Sequence, residues 1–259
     1  MTRVLTAIVL LFVAVAAVLY GPAWTFLVLM AGVGVAAFRE FDTLVAGHGI
    51  RRSGWPGIAA GLLLLAAPEP LMPFIVVLAL ALMTLGLRRG LGMGKLETAL
   101  GSAAAALLGI LYIFGALRCA ILMREANLHW LMLALLVSWA GDTAALYVGR
   151  AFGRHKLAPR VSPGKTWEGS AGSLLVGVLA GVLYAWFLIP ETSVMLAAAV
   201  SAAGNASGQA GDLWESALKR GAGLKDSGHA LPGHGGWLDR IDSTLFSIPV
   251  VYLFLRLLQ

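Results

Sequence analysis

Charged side chains gather in one short stretch of an otherwise apolar chain, residues 216–242. Carboxylate oxygens are the ligands that Mg²⁺ prefers, and cationic side chains stabilise phosphate groups during their transfer. The stretch and the nearby Asp212 therefore predict a magnesium-dependent site for a polyphosphate. The expected metal ligands are Asp212, Asp226, Asp239 and Asp242. The cations available for the phosphates are Lys219, Arg220, Lys225 and Arg240.

A histidine lies among glycines in the same stretch. Gly233, Gly235 and Gly236 flank His234, so the backbone can approach a ligand closely there. His234 is predicted to bind phosphate or to relay a proton, and the alternative is a hydrogen-bonding residue of a turn. No pair of histidines has the helical spacing of a zinc site, so a zinc hydrolase is not indicated.

A second polar segment, residues 150–168, contains five Lys or Arg and one Glu. Within it, Ser162–Thr166 reads SPGKT, which predicts a turn of small residues whose N–H groups face an anion. Lys165 would add a charge and Thr166 a hydroxyl group. The first glycine of a nucleotide-binding P-loop would fall at Pro159, so a Walker-type NTPase is not indicated. The alternative is an ordinary basic loop beside a membrane.

Asp142 lies near the end of an apolar stretch, in the sequence SWAGDTAALYVGR. A carboxylate in such a place is costly and is usually paired, hydrated or bound to a cation. A functional role is therefore predicted for Asp142. The alternative is a structural ion pair with Arg150, about two helical turns later.

The composition places the chain in a lipid bilayer. Of its 259 residues, 59% are hydrophobic and 12% are charged, and the mean hydropathy is +0.85. A soluble domain would have about a quarter of its residues charged. The formal charge of +6 is distributed as membrane topology requires, so no nucleic-acid partner is expected. The single cysteine, Cys119, excludes an internal disulfide and a cysteine-based zinc site.

The apolar stretches predict an all-α integral membrane protein with about nine transmembrane helices. Their expected bounds are Val4–Tyr20, Pro22–Phe38, Trp55–Ala67, Leu71–Leu87, Thr98–Leu117, Leu128–Val148, Ser170–Ile189, Ser193–Ala210 and Ser243–Leu258. The third stretch is short for a bilayer crossing and can be tilted or partly re-entrant. Gly177 and Gly181 have the spacing of close helix packing in membranes.

The distribution of Lys and Arg sets the predicted orientation. With a cytoplasmic N-terminus, 16 of the 19 Lys and Arg lie on the cytoplasmic side, and only Arg118, Arg124 and Arg256 lie on the other. The charged segments, and with them the site, are thus expected to face the cytoplasm. The first span has features of a secretory signal peptide, but apolar sequence resumes directly after Pro22, and we expect the span to be retained.

The polar segments resemble the signature of the phosphatidate cytidylyltransferases, the CDP-diacylglycerol synthases. The resemblance is carried by S-A-L-K-R-x4-K-D-S-G-x2-L-P-G-H-G-G-W-L-D-R-I-D over Ser216–Asp242, by Gly141–Gly169 and by Gly211-Asp212-Leu213. It covers the C-terminal half, whereas the N-terminal half resembles the family only as a set of membrane spans. Gly164 departs from the pattern, since many members carry a lysine or another polar residue there.

The resemblance implies transfer of the cytidylyl group of CTP to phosphatidic acid, with Mg²⁺ and room for a second, monovalent cation such as K⁺. Asp226, Asp239 and Asp242 are then expected in catalysis, together with Lys225 and His234. The residues expected to bind the nucleotide or the lipid phosphate are Ser162, Lys165, Thr166, Lys219, Arg220, Arg240 and Asp142. The resemblance also implies a homodimer, and the expected location is the bacterial inner membrane.

The expected organisation is a set of transmembrane helices over residues 1–127 and a catalytic region over residues 128–259, with cytoplasmic loops at 150–168 and 211–242. Two other functions fit less well. A CDP-alcohol phosphotransferase would show the run DGxxAR…GxxxDxxxD, which is absent, and the aspartates here are spaced DxxD. A transporter or channel would concentrate charge at the membrane midplane, whereas here the charge lies in the loops.

Overall fold

Helices make up most of the structure. The computed structural model describes residues 12–69, 75, 99–230 and 235–257. Its helices are α1 (12–19), α2 (Ala23–Gly47), α3 (Trp55–Leu65), α4 (Ala99–Gly109), α5 (Ala116–Phe152), α6 (Trp167–Leu188), α7 (Val194–Gly221) and α8 (Leu238–Leu257). A π-helical segment, Ile110–Gly115, joins α4 to α5. Two short strands, β1 (Lys156–Ala158) and β2 (Ser162–Thr166), lie between α5 and α6.

Three apolar helical stretches in the described residues are long enough to cross a membrane. They are Ala23–Gly47, Leu100–Phe152 and Trp167–Leu188, the shortest of which has 22 residues and measures about 33 Å. The all-α membrane class is therefore confirmed, whereas the count of nine spans and the orientation stay predictions. Much of the predicted spans Val4–Tyr20 and Leu71–Leu87 lies outside the described residues.

The long stretch Leu100–Phe152 contains a break at Asn127, whose backbone is extended, with φ −163° and ψ 109°. The side-chain Oδ1 of Asn127 accepts a hydrogen bond from the N–H of His129 at 2.9 Å. This is the arrangement of a helix N-cap, in which a side-chain oxygen satisfies a donor in the first turn. A new helix therefore begins where the sequence predicted the sixth span to begin, at Leu128.

The segment Ser162–Thr166 is an extended strand, and the predicted turn of small residues there is wrong. β2 pairs with β1 in antiparallel fashion, with Lys156 opposite Thr166 and Ala158 opposite Ser162. Proline is tolerated in such a hairpin, because both of its strands are edge strands. Gly164 is not among the described glycines with a positive φ, so its conformation does not supply the anion-binding nest that the turn would have made.

Helix α7 continues into a segment that was predicted to be a loop. It ends in a Schellman motif around Gly223, whose φ is 71° and whose N–H donates to the carbonyl of Arg220. At the other end of the segment, α8 already begins at Leu238. Residues 211–221 and 238–242 of the predicted loop 211–242 are therefore helical. Between the two helices the structure describes residues 222–230 and 235–237, which we call the signature loop.

The chain divides into two compact units, each drawn from separated parts of the sequence. The first unit comprises Met1–Phe26, Cys119–Ala217 and Ile241–Gln259, and the second unit comprises Leu27–Arg118 and Leu218–Arg240. The predicted division into residues 1–127 and 128–259 stays a prediction.

Small residues allow α5, α6 and α7 to pack closely in the first unit. A Cβ on Gly177 would lie 2.7 Å from Asn205 Nδ2, and a Cβ on Gly181 would overlap Ser201 Oγ. Asn205 is buried and donates to the carbonyl of Val137 on α5 at 3.3 Å. The close packing predicted for Gly177 and Gly181 is confirmed, and a hydrogen-bonded asparagine adds to it.

Aromatic rings form the core of the second unit. Phe38, Phe41 and Phe114 are all buried, and the ring centroids of Phe38 and Phe114 lie 5.7 Å apart. Gly61 and Gly109 face these rings so closely that a Cβ on either glycine would overlap ring atoms. Because protein interiors are packed as densely as organic crystals, this contact fixes the position of α2 against the helices that carry Gly61 and Gly109. It thereby fixes the polar residues that α2 carries near its end.

Candidate active site

Four carboxylates from three helices come together in the first unit. They are Asp142 on α5, Asp212 and Glu215 on α7, and Asp242 on α8, here called the carboxylate cluster. Asp242 interacts electrostatically with the other three. The cluster extends from the exposed Asp142 to the fully buried Glu215, so it can be reached from the protein surface.

Close helix contact places these carboxylates side by side. A Cβ on Gly211, which precedes Asp212, would lie 2.7 Å from the backbone oxygen of Asp242, so glycine allows α7 to approach α8. Ser243 follows Asp242, and its Oγ donates to Asp142 Oδ2 at 3.1 Å. The hydrogen-bond partner that the structure gives Asp142 is thus Ser243, and not the alternative, Arg150.

One lysine faces this cluster. Lys165 Nζ lies 2.7 Å from Asp212 Oδ2, and Lys165 also acts electrostatically on Asp142. The side chains of the pair are partly exposed, 24% for Lys165 and 33% for Asp212. Four carboxylates and one ammonium group leave a formal charge of −3. Like charges held this close favour the binding of a cation.

The donors of the cluster are of the type that magnesium prefers. Mg²⁺ is usually held by one or two carboxylates, and water and substrate phosphates complete its octahedron. Asp212 and Asp242, both predicted as metal ligands, belong to the cluster. Among residues 12–69, 75, 99–230 and 235–257, no three His, Cys, Asp or Glu side chains are placed to hold a metal ion. The chemical type therefore fits, and a protein-only ligand set of three would require the carboxylates to move closer together.

Asp239 belongs to the second unit and is held by the signature loop. Its Oδ1 lies 2.5 Å from Lys219 Nζ, and its Oδ2 accepts the N–H groups of Ser227 at 2.9 Å and Gly236 at 2.8 Å. Burial acts to raise the pKa of Asp239, but the hydrogen bonds from Lys219 and from these N–H groups outweigh burial and hold the pKa below its ordinary value. The predicted roles of Asp239 and Lys219 in metal and phosphate binding stay predictions.

Glu40, on α2, is a residue that the sequence analysis misses. Its Oε1 accepts the N–H of Trp237 at 3.0 Å. Its Oε2 accepts the N–H of Leu238 and the hydroxyl of Ser227, both at 2.9 Å. Glu40 therefore lies at the N-terminus of α8 and contacts the signature loop on both of its described sides. The only signal in the sequence is a carboxylate within the largely apolar α2, in AAFREFD.

Other predicted residues lie at the surface. Lys225 and Asp226 are exposed on the signature loop, and Arg240 is exposed on α8. Arg220 is exposed near the end of α7, where its side chain donates to the carbonyl of Leu224 at 3.1 Å. Such groups are accessible to a soluble nucleotide, but their roles stay predictions. His234 lies outside the described residues.

Thr166 joins β2 to α6 and caps that helix. Its hydroxyl oxygen accepts the N–H of Gly169 at 3.1 Å, and the residue is buried. A Cβ on Gly153, the residue that follows α5, would lie 2.7 Å from the methyl group of Thr166, so the cap is packed tightly as well. Thr166 thus fixes the direction in which α6 leaves the strand that carries Lys165. Phosphate binding by Thr166 and by Ser162, which pairs with Ala158, stays a prediction.

A sequence model of the cytidylyltransferase family matches residues 1–258. The chain belongs to this family. Phosphatidate cytidylyltransferases of Staphylococcus aureus (strain COL) and Staphylococcus saprophyticus are 33% and 34% identical to it over 258 residues, 98% of each chain. The phosphatidate cytidylyltransferase of Staphylococcus haemolyticus is 42% identical over 132 residues, 51% of each chain.

Membership of the cytidylyltransferase family identifies the chain as a nucleotidyltransferase. The similarity is also wider than the sequence motifs alone indicated, because the alignments include the N-terminal half. Glu40 lies in that half, so the part of this cytidylyltransferase that looked like membrane anchorage contains a residue in contact with the signature loop.

Proposed function

We propose that this cytidylyltransferase transfers the cytidylyl group of CTP to phosphatidic acid, which gives CDP-diacylglycerol and pyrophosphate in phospholipid biosynthesis. The proposal is carried by one observation, the carboxylate cluster with Lys165 beside it. It is supported by family membership and by relatives named phosphatidate cytidylyltransferase. A site with carboxylates and cations side by side suits a reaction between two polyanions.

The reaction asks for little proton transfer by the protein. A phosphate oxygen of phosphatidic acid is already anionic at neutral pH, so it can attack the α-phosphorus of CTP while the bond to pyrophosphate breaks. The barrier lies in bringing two anions together and in stabilising the charge that develops on pyrophosphate. The cations proposed for the triphosphate are Lys165, Lys219, Arg220 and Lys225, with Arg240 and His234 proposed for the lipid phosphate.

We propose that the carboxylate cluster holds Mg²⁺, with Asp212 and Asp242 as its first ligands and Asp142 beside them. The support is the donor type and the formal charge of −3 on the cluster with Lys165. Bound there, the ion would supply positive charge to the phosphates of CTP. Asp226 and Asp239 remain the further predicted ligands, and a monovalent ion such as K⁺ remains a proposal.

We place the site at the cytoplasmic face of the bacterial inner membrane, in a homodimer. The location is supported by the apolar helices, by bacterial relatives and by the 16 of 19 Lys and Arg that one orientation brings to the cytoplasmic side. A site at the cytoplasmic surface of the membrane is accessible both to a soluble nucleotide and to a lipid that diffuses laterally. The homodimer rests on the family resemblance, and the mass of the detergent-solubilised protein tests it.

The test is an assay of purified protein in detergent with labelled CTP, phosphatidic acid and Mg²⁺. Wild type should form CDP-diacylglycerol and pyrophosphate in equal amounts, and only when all three components are present. Asp242→Asn should lower kcat/KM about a hundredfold or more, since it removes charge from the cluster. Glu125→Gln, a change on an exposed residue of the first unit, is the matched control and should leave the rate unchanged.

Each part of the proposal has its own contrary result. A folded, lipid-supplemented wild type that forms no product would overturn the reaction. Equal rates with ATP or GTP in place of CTP would overturn the choice of nucleotide. Full activity of Asp242→Asn would remove the carboxylate cluster from the active site while leaving the reaction in place.

A further inference from the structure

Helix α2 contacts both ends of the signature loop. At the start of α8, the carboxylate of Glu40 accepts hydrogen bonds from Trp237, Leu238 and Ser227. Near the end of α7, the imidazole Nε2 of His48, the residue that follows α2, lies 3.0 Å from the carbonyl oxygen of Leu218. The loop that carries the densest part of the signature is thus connected at two points to a helix in the N-terminal half of the chain.

Glu40 meets a need that the start of α8 creates. The first N–H groups of a helix have no acceptor within the helix, and their positive end attracts negative charge. Glu40 supplies two carboxylate oxygens to the N–H groups of Trp237 and Leu238. Through a third hydrogen bond, which it accepts from Ser227 Oγ, the same carboxylate joins the helix start to the earlier part of the loop.

Two glycines of the signature lie directly against this carboxylate. A Cβ on Gly228 would lie 2.6 Å from Glu40 Oε1, and a Cβ on Gly236 would overlap Glu40 Oε2 and Ser227 Oγ. Neither glycine has a positive φ, so backbone conformation does not require glycine at these positions. Their small size is explained instead by the space that Glu40 occupies.

The α7 end of the loop shows the same close approach. A Cβ on Gly221 would overlap the His48 ring, and a Cβ on Gly47 would lie 2.7 Å from the Ala222 Cβ. Glycines on both partners therefore allow α2 to approach the end of α7. Contacts of this kind restrict the backbone of the loop that follows.

We propose that Glu40 is a positioning residue of the cytidylyltransferase, which holds the signature loop in the conformation that binds CTP. The inference rests on the proposed function, because the loop carries Lys225, which is proposed for the triphosphate, and Asp226, which is proposed as a further metal ligand. Glu40 does not touch the substrate; it acts through the loop. A loop that is held in place before binding does not have to be ordered by the nucleotide, and the affinity for CTP is higher for that reason.

Glu40→Gln tests this role with little change of shape. An amide offers one acceptor oxygen, so its NH₂ group would face either the N–H of Trp237 or the donors at Oε2. The loop would then adopt the conformation that binds CTP in only a fraction of the molecules, and the apparent affinity for CTP would fall by that fraction. Saturating CTP would bring the loop back to that conformation. We expect the KM for CTP to rise about tenfold while kcat stays within about threefold of wild type. Glu191→Gln, an exposed residue outside the second unit, is the control and should change neither.

Ser227→Ala supplies an independent variant, because it removes a smaller part of the same arrangement. It should raise the KM for CTP less than Glu40→Gln, and the double variant should show less than the product of the two changes, since the pair shares a hydrogen bond. Amide hydrogen exchange of residues 222–230, measured without nucleotide, should be faster in both variants and should return to the wild-type rate with CTP.

The outcomes separate this inference from the proposed function. If wild type makes no CDP-diacylglycerol, the function fails, but faster exchange in Glu40→Gln would still show that Glu40 orders the loop. If wild type is active while both variants keep the wild-type KM and exchange, the inference is overturned and the function stands. A kcat loss with an unchanged KM for CTP would also overturn it, since a positioning role acts on the nucleotide affinity. If Glu40→Gln does not fold, Ser227→Ala decides alone.

Discussion

Lys165 and Asp212 form an ion pair, with 2.7 Å between Nζ and Oδ2. Lys165 lies on β2 and Asp212 on α7, so the pair joins the two polar segments of the sequence. One segment was expected to attract a nucleotide and the other a metal. A metal ion at Asp212 would therefore compete with the Lys165 ammonium group for the same carboxylate.

Lys165→Gln is expected to change nucleotide and metal binding in opposite directions. Loss of the ammonium group should raise the KM for CTP about tenfold or more, because a hydrogen bond to a charged group contributes about 1.5–3 kcal/mol. Metal affinity of the nucleotide-free protein should increase, because Lys165 no longer competes for Asp212. Initial rates at varied CTP and a Mn²⁺ titration followed by EPR measure the two effects.

Lys156→Gln is the matched control, since Lys156 is an exposed lysine on the partner strand β1. It should leave both measurements as in wild type. An unchanged KM for CTP in Lys165→Gln would remove Lys165 from the nucleotide site, and weaker Mn²⁺ binding would contradict the competition at Asp212.

Gly164→Ala and Gly153→Ala are expected to differ in stability, because only one position is crowded. No neighbouring atom lies within 4 Å of a Cβ built on Gly164, so this change should alter the free energy of unfolding by less than about 0.5 kcal/mol. A Cβ on Gly153 would lie 2.7 Å from Thr166 Cγ2, and overpacking of this kind costs about 1–3 kcal/mol. Thermal unfolding in one detergent compares them. Loss of CTP binding in Gly164→Ala would instead support the anion-binding turn that the sequence predicted at Ser162–Thr166.

The sequence predicts the class of the fold and the start of a helix better than it predicts where helices end. Apolar runs report contact with lipid, which is why the all-α class and the helix beginning at Leu128 were predictable. Hydropathy does not report backbone conformation, so the polar turns of α7 around Asp212 looked like a loop. The same limit applies to SPGKT, where turn-forming residues occupy a strand because cross-strand pairing with Lys156 and Ala158 decides the conformation.

The site was predictable to the extent that it depends on residue type. Asp142, Asp212 and Asp242 were predicted because carboxylates beside apolar helices are unusual, and the structure brings them together. Glu40 was not predictable, because it contacts a residue 187 positions away and no local motif announces such a contact. Its importance becomes visible only when α2 is packed against the signature loop.

Arg124→Gln is expected to destabilise the first unit. The Arg124 Nε donates to the carbonyl of Val18 at 2.9 Å, and its Nη2 donates to the carbonyl of Gly21. These carbonyls lie at the end of α1, where acceptors lack partners within the helix. Loss of the guanidinium should lower the free energy of unfolding by about 1–3 kcal/mol. The stability of Arg124→Lys should lie between those of wild type and Arg124→Gln. Chemical denaturation measures the loss of stability, and Arg154→Gln, a change of an exposed arginine, is the control. An unchanged denaturation midpoint in Arg124→Gln would contradict the prediction.

Asp239 is expected to make stability depend on pH in acid. Burial acts to raise its pKa, but Lys219 and the N–H groups of Gly236 and Ser227 hold the pKa below its ordinary value. A carboxyl whose pKa is lower in the folded state contributes stability that is complete above its unfolded pKa, about 3.9, and is lost as the pH falls through the folded pKa. Thermal unfolding of wild type and Asp239→Asn in detergent should therefore differ most above about pH 5, and the difference should shrink as the pH falls from about 4 through the lower, folded pKa. Glu191→Gln is the control for the loss of one charge. If the difference in thermal stability between wild type and Asp239→Asn persists unchanged to pH 3, the charge of Asp239 does not stabilise the signature loop.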